Sequence, residues 1–172
     1  MKKLVLFSYL VVLFELQLNV LVTGMTSAEA EMHLEAGKKL LAAGQLADAL
    51  TQFHSAIDGD PNNYMSFYRR GTVFLAMGKF KSALSDFSRV IELKPDFSSA
   101  RLQRANIYFK KGQFADAISD YQSIIVSDSS NSEAKSKLEK CHSILDSLEL
   151  ARHHQNLRDF PAAIDLYTNI LE

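Results

Sequence analysis

The chain has 172 residues, with 19 Lys and Arg against 20 Asp and Glu and a formal net charge of −1. This balance excludes a general electrostatic attraction to nucleic acid or acidic lipid, so neither is an expected partner. A single cysteine, Cys141, excludes an intrachain disulfide, and no His/Cys cluster has metal-ligand spacing, so no metal or cofactor is expected.

The first residues have the composition of a targeting segment. Lys2 and Lys3 precede an apolar run from Leu4 to Phe14, which is typical of a secretory signal peptide. Glu15 follows that run, and a carboxylate at the centre of a bilayer costs about 2.5 kcal/mol or more, which disfavours a retained membrane span. We therefore predict a signal peptide over residues 1–24, with residue 28 as the alternative boundary. The mature chain then enters the endoplasmic reticulum lumen and meets the membrane only through this segment.

Small and aromatic residues recur every 34 positions between residues 30 and 131. The recurring sets are Gly37, Gly71 and Ala105; Gly44, Gly78 and Gly112; Ala49, Ala83 and Ala117; and Phe53, Phe87 and Tyr121. A fixed period of this length is typical of a helix-turn-helix solenoid, whose units bury their apolar faces only by stacking. The period predicts three units, at residues 30–63, 64–97 and 98–131.

Each unit is predicted to hold two helices of roughly fourteen residues joined at a glycine, because a glycine past the last apolar turn adopts a left-handed cap without cost. Prolines Pro61 and Pro95 end the second helices of the first two units, whereas Ser129-Ser130-Asn131 stands in the third. Gly37 lies inside a first helix, where glycine costs about 1 kcal/mol relative to alanine. We expect the alanine set to provide a close helix approach there, and the aromatic set to fill the layers between units.

A fourth copy of the pattern begins late. Phe160, Ala163, Ile164 and Tyr167 repeat the residues 46 positions earlier, so extra residues precede this copy. The stretch from Ser132 to about Leu157 has no Pro or Gly and is predicted to be one long helix. We assign residues 132–143 to a helical insertion and 144–172 to a partial fourth unit, which is expected of a fragment or a truncated product.

The three stretches 33–61, 67–95 and 101–125 resemble the tetratricopeptide repeat (TPR). The resemblance implies an all-α, right-handed superhelix of three full repeats and a partial fourth, and a chain that is not an enzyme. A signal peptide leading directly into HLEAGKKLLAAGQLADALTQFHSAIDGDP is also similar to the amino-terminal part of the ER-lumenal DnaJ-family co-chaperones described as inhibitors of the interferon-induced protein kinase.

That second resemblance implies a function in capturing unfolded or misfolded polypeptides. The family also carries a J domain, but no His-Pro-Asp triplet occurs in this sequence. Lumenal Hsp70 is therefore an expected partner only indirectly, through a J domain that this chain does not contain. The alternative is a scaffold that binds and inhibits one folded partner, such as a protein kinase.

First helices line the concave side of a TPR superhelix, and spacings of three and four give the residues on one face. Seven of the twelve such positions are apolar, and we predict that they form a client-binding groove. These seven are Leu34, Leu41, Met65, Tyr68, Leu75, Leu102 and Phe109. The alternative is that several of them pack inward against the next unit.

Other candidate sites have weaker patterns. A clamp for the terminal carboxylate of a partner needs converging cationic and amide donors. The corresponding positions hold Leu34, Lys38, Arg69, Ser99 and Gln103, so the sequence does not predict this clamp.

Three further candidates lie outside the groove. Adjacent His153 and His154 point about 100 degrees apart on a helix, which is unsuited to a shared metal ion. Cys141-His142 has the same difficulty as a nucleophile and base, so a buried thiol is expected. Four arginines, Arg69, Arg70, Arg101 and Arg104, are expected to lie on a solvated basic face, and the alternative is a stripe that binds a specific acidic partner.

Overall fold

The computed structural model describes residues 26–171. Every regular element in this range is an α-helix, as the repeat pattern predicts. The helices are α1 (Ser27–Ala42), α2 (Leu46–Gly59), α3 (Tyr64–Ala76), α4 (Phe80–Leu93), α5 (Ser98–Lys110), α6 (Phe114–Ser127), α7 (Ser132–Asn156) and α8 (Phe160–Leu171). Over the described range, none of these helices is both long and apolar enough to cross a membrane. The predicted signal peptide, residues 1–24, lies outside the described residues.

Three glycines form the turns inside the helix pairs, as predicted. Gly44, Gly78 and Gly112 have φ values of 76°, 70° and 71°. In the first turn, Gly44 N donates to the Leu41 carbonyl at 3.0 Å and Gln45 N donates to the Leu40 carbonyl at 2.9 Å. These two bonds satisfy the last carbonyls of α1 in a Schellman motif, and the same pair recurs at the other two glycines.

The fourth turn has the same geometry without glycine. Arg158 has a φ of 61°, and its N–H donates to the Gln155 carbonyl at 3.1 Å. Asp159 N donates to the His154 carbonyl at 3.0 Å, which completes a Schellman motif at the end of α7. An arginine therefore occupies a left-handed position that costs a residue with a Cβ roughly 1 kcal/mol or more.

The turns between repeats share one backbone conformation despite different residues. Asp60, Lys94 and Asp128 have φ between −142° and −140° and ψ between 85° and 90°. Asp128 is followed by Ser129, whereas Asp60 and Lys94 are each followed by proline. The Asp128 carboxylate accepts from Ser130 N at 3.0 Å and from Ser130 Oγ at 2.6 Å. These hydrogen bonds lower the pKa of Asp128, the side-chain bond from Ser130 being the largest cause. An Asx turn thus ends the third repeat without proline, and the same turn forms at Asp60, which accepts from Asn62 N at 3.1 Å although Pro61 follows it.

The described chain forms two compact units, residues 26–73 and 74–171. In the first unit α1 packs on α2, and α1 begins with a capping box in which Thr26 and Glu29 bond each other's backbone N–H. The core of this unit contains Leu34, Ala49, Phe53, Ala56 and Val73.

The ring of Phe53 covers Gly37 on the neighbouring helix. A Cβ added at Gly37 would lie 2.6 Å from Phe53 Cε1 and 2.8 Å from Cδ1. The close approach predicted at Gly37 is therefore present, and the three atoms nearest to that Cβ position belong to Phe53 rather than to the alanine expected there. Phe53 comes from the same helix pair, and the missing Cβ leaves room for its ring.

In the second unit, consecutive helices pack in pairs from α4 to α8. One core cluster of this unit comes from α5, α6 and α7, and its buried members are Ala105, Ala117, Tyr121, Ile124, Ala134 and Cys141. Helix α4 adds the fully buried Ala83, Phe87 and Val90. The long helix α7 spans 25 residues without interruption, which confirms the helix predicted between the third and fourth repeats. Its first half packs against α6 and places its amino-terminal residues beside α5.

Candidate functional site

The second unit contains an open pocket of about 380 Å³ at the amino-terminal end of α7. The last turn of α3, the start of α4, the carboxy-terminal half of α5 and the first turns of α7 form its walls. The lining residues are Leu75, Phe80, Gln103, Asn106, Ile107, Phe109, Lys110, Glu133 and Lys137. We call this the α5–α7 pocket.

One part of the α5–α7 pocket is apolar. Ile107 is buried, Leu75 and Phe109 are half-buried, and Phe80 is 37% exposed. Phe109 is held by an edge-to-face contact with Phe114, with ring centroids 5.7 Å apart. The pocket therefore presents aromatic and aliphatic carbon to solvent on rigid helices rather than on loops.

A chain of hydrogen bonds fixes the polar wall. Tyr121 Oη donates to Asn106 Oδ1 at 2.6 Å, and Asn106 Nδ2 donates to Glu133 Oε1 at 3.3 Å. Tyr121 is fully buried, and burial raises its pKa strongly, so the hydroxyl remains a donor at neutral pH. The bond from Tyr121 leaves the amide nitrogen of Asn106 directed toward Glu133.

Two lysines complete the polar wall. Lys137 Nζ lies 5.2 Å from the centroid of the Phe109 ring, and Lys110 is exposed at the end of α5. Within residues 26–171, neither ammonium forms a salt bridge. Two positive charges thus stand beside the apolar wall, with the carboxylate of Glu133 the one negative charge among the lining residues.

The structure brings together two of the residues predicted for the groove, Leu75 and Phe109. Leu102 is half-buried and packs against the core of the second unit, outside the pocket lining. The sequence pattern missed Phe80, Lys110 and Lys137, because it considered one face of the first helices only. Phe80 begins a second helix, and Lys137 belongs to the long helix whose register the repeat period does not give.

In the first unit, the prediction is wrong for Leu34. This side chain is 4% exposed and belongs to the core with Phe53 and Val73, because its position on α1 faces α2. Leu41 and Met65 are half-buried and pack against the same core. Tyr68 is half-buried, with the Arg69 guanidinium 6.0 Å from its ring centroid.

The predicted solvated basic face is also wrong at two of its arginines. Arg104 donates to both carboxylate oxygens of Asp120 at 2.8 Å, and Arg101 lies 3.5 Å from Asp120 Oδ1. Arg104 also donates to Ser88 Oγ at 3.0 Å. The Asp120 side chain is 5% exposed, so these arginines compensate a buried charge between α5 and α6.

The remaining candidates show no arrangement for chemistry. Cys141 is fully buried in the core, and burial raises the pKa of its thiol, which disfavours the nucleophilic thiolate. His154 Nδ1 lies 3.0 Å from Asp159 Oδ2 in the α7–α8 turn, while His153 is exposed. Over residues 26–171, no three His, Cys, Asp or Glu side chains are grouped as metal ligands would be.

Paired helices in sequence and left-handed turns at a fixed period define a helical repeat protein. The tetratricopeptide repeat pattern matches residues 34–76 and 68–132, which is more than half of the chain. The chain therefore belongs to the tetratricopeptide repeat family.

Its relatives include DnaJ homolog subfamily C member 3. The human protein is 62% identical over 68 residues, which is 40% of this chain and 13% of that protein. The chicken protein (Gallus gallus) is 58% identical over 66 residues, covering 38% and 13%. The chain thus spans about an eighth of the length of these relatives.

Solved structures agree with the family. The P58(IPK) TPR domain has a TM-score of 0.76 and 49% identity, covering 83% of this chain and 41% of that one. The first TPR of Spaghetti (RPAP3), bound to the HSP90 peptide SRMEEVD, has a TM-score of 0.67 at 24% identity, covering 72% and 98%. The second likeness concerns the fold alone.

Proposed function

We propose that this chain is a non-enzymatic co-chaperone module that binds exposed apolar segments of unfolded or misfolded polypeptides. The α5–α7 pocket carries this proposal, because Leu75, Phe80 and Phe109 offer apolar surface in an open recess between helices. Open apolar recesses with a few polar groups are typical binding sites for peptides and small ligands. Leu41, Met65 and Tyr68 of the first unit remain proposed contributors to client binding.

The physical basis is burial of apolar surface. A client side chain that enters the pocket gains about 25 cal/mol for each Å² of apolar area removed from water. Immobilising the client segment offsets much of this gain. Because the pocket has only a few apolar lining residues and a few polar ones, we expect modest affinity and broad selection among apolar side chains. That combination suits a protein that holds unfolded chains and releases them.

Relatives provide the cellular context of the proposal. The chain is related to a DnaJ homolog, and its first 24 residues have the pattern of a secretory signal peptide. We propose the endoplasmic reticulum lumen as its location. Coupling to a lumenal Hsp70 requires a J domain, and the 172 residues of this sequence contain no His-Pro-Asp triplet of such a domain.

Suppression of client aggregation tests the proposal directly. A reduced, unfolded client is diluted into buffer with the wild-type chain or with Leu75→Ser/Phe109→Ser, and light scattering is followed. The double variant should lose most of the suppression, while Leu150→Ser, which changes an apolar side chain that is 47% exposed and outside the pocket, should retain it. Helix content from circular dichroism checks that each variant is folded. Full activity of the folded double variant would remove the pocket from the proposal.

The alternative function, a scaffold for one folded partner, gives a different result in competition. Binding of the unfolded client should be displaced by several unrelated apolar peptides if the pocket accepts side chains broadly. A scaffold that recognises one folded surface would be insensitive to those peptides. Insensitivity would therefore favour the scaffold over the co-chaperone module.

A further inference from the structure

The α5–α7 pocket has a charge pattern that apolar binding alone does not require. Lys110 and Lys137 face the pocket, and within the described residues neither forms a salt bridge. Two other cations of the second unit, Arg101 and Arg104, are by contrast bonded to Asp120. Among the described residues, the pocket therefore has two ammonium groups without a salt bridge beside its apolar wall.

Over residues 26–171, the single carboxylate of the lining forms no salt bridge with either lysine. Glu133 accepts a hydrogen bond from Asn106, which Tyr121 in turn holds in place. This chain from the buried Tyr121 keeps Glu133 on the Asn106 side of the pocket. Lys137 instead lies over the Phe109 ring, with its Nζ 5.2 Å from the centroid. An apolar side chain resting on Phe109 is thereby brought next to a positive charge.

We propose that the pocket selects extended client segments in which an aromatic or branched aliphatic residue is adjacent in sequence to an aspartate or glutamate. The carboxylate it recognises belongs to that acidic side chain and not to the terminus of the client. The apolar side chain contacts Phe109 and Leu75, and the neighbouring carboxylate lies between the ammonium groups of Lys110 and Lys137. Charge complementarity carries this inference, which deepens the proposed function and rests on it. Each exposed ion pair contributes little, so the selection is a preference rather than an absolute requirement.

The experiment compares two labelled peptides of about nine residues, blocked at both ends, that differ only in Asp or Asn beside one phenylalanine in a Gly/Ser sequence. Fluorescence anisotropy measures both dissociation constants for the wild-type chain. We expect about fivefold tighter binding of the Asp peptide, since two exposed ion pairs account for a factor of this order. The preference should decline between low and physiological salt, as expected for exposed charges.

Two charge-matched variants identify the lysines responsible. Lys110→Gln/Lys137→Gln should bind both peptides alike, while Lys111→Gln/Lys140→Gln, which alters exposed lysines outside the lining, should keep the preference. Equal binding of both peptides by the wild-type chain overturns the inference, and so does a preference that survives Lys110→Gln/Lys137→Gln. In either case the proposed function still stands if Phe109→Ser weakens both peptides. Binding that Phe109→Ser leaves unchanged contradicts the proposed function itself.

Discussion

Arg104 and Asp120 form a two-point salt bridge between α5 and α6, with both N···O distances at 2.8 Å and the carboxylate 5% exposed. The hydrogen bonds that Arg104 donates to Asp120 are the main cause that raises the pKa of Arg104. Such a pair stabilises the helix packing only while both partners remain, since a lone buried carboxylate loses its compensation.

Removing the arginine should therefore be costly. Arg104→Met is expected to lower the free energy of unfolding by about 3 kcal/mol, because Asp120 stays buried without its main partner. Urea unfolding followed at 222 nm measures this loss. The double variant Arg104→Met/Asp120→Leu should recover most of it, since apolar residues replace the whole pair. As a control, Glu35→Gln breaks the exposed Lys38–Glu35 pair and should cost less than about 1 kcal/mol.

The contact of Gly37 with Phe53 predicts that alanine is not tolerated at this helical position. Alanine favours the helix by about 1 kcal/mol over glycine, but its Cβ would lie 2.6 Å from a ring that is fully buried. Overpacking of this kind costs about 1 to 3 kcal/mol, so Gly37→Ala should destabilise the chain despite its better propensity.

Shortening the opposing ring separates packing from propensity at Gly37. In the background of Phe53→Leu, Gly37→Ala should become neutral or stabilising, because the Cβ then has room. Gly44→Ala provides the control. Gly44 has a φ of 76° and a Cβ added there would meet no atom within 4 Å, so the cost is conformational and should not change with Phe53→Leu. Equal costs of Gly37→Ala in both backgrounds would contradict the packing explanation. Chemical denaturation of the two single glycine variants, of Phe53→Leu and of the two double variants supplies the comparison.

The repeat period is sufficient to predict the paired helices and the glycine turns, and the absence of Pro and Gly predicts the long α7. These features depend on local rules, since left-handed caps and apolar periodicity are properties of neighbouring residues. The ion pair at Asp120 depends on the pairing of two helices and was missed. Asp86 and Asp120 are 34 residues apart and both buried, so their recurrence was a usable signal outside the small and aromatic sets.

The candidate site was predicted only in part for a geometrical reason. Leu75 and Phe109 were found because they share the face of the first helices. Leu34 lies on the same face by spacing, yet it is buried against α2. The prediction fails there because a spacing rule does not distinguish a side chain at the edge of the face from one at its centre. Lys137 and Glu133 come from α7, whose position relative to α5 depends on packing.

Ser66 offers a substitution that should stabilise the first unit. Its side chain is 1% exposed, and within the described residues its Oγ has no hydrogen-bond partner. Ala100 occupies the position 34 residues later and is fully buried. Ser66→Ala should therefore raise the free energy of unfolding by about 1 kcal/mol, because it removes an unsatisfied buried hydroxyl. A thermal melt showing a loss of stability would mean that the hydroxyl is bonded.

The exposed Arg158 provides a second stabilising change. Its φ of 61° is unfavourable for any residue with a Cβ, whereas the three equivalent turns have glycine. Arg158→Gly should raise the free energy of unfolding by about 0.5 to 1 kcal/mol, the larger backbone entropy of unfolded glycine offsetting part of the gain. The reciprocal variant Gly112→Arg should lower it by a similar amount. Differential scanning calorimetry of both variants should show opposite changes in stability at the same position of two equivalent turns.

Burial of Cys141 predicts how stability changes in alkaline solution. Because desolvation raises the pKa of the thiol in the folded chain, its contribution is fully present below the pKa of an unfolded thiol, about 8.5, and is lost as pH rises through and above that value. The urea midpoint of the wild-type chain should fall between pH 8 and pH 9.5, and Cys141→Ala should reduce this fall. An aromatic disulfide reagent should modify Cys141 at a rate that increases with urea, since the buried sulfur reacts only after local opening. Rapid modification without urea would show that the core around α7 opens far more readily than its packing indicates.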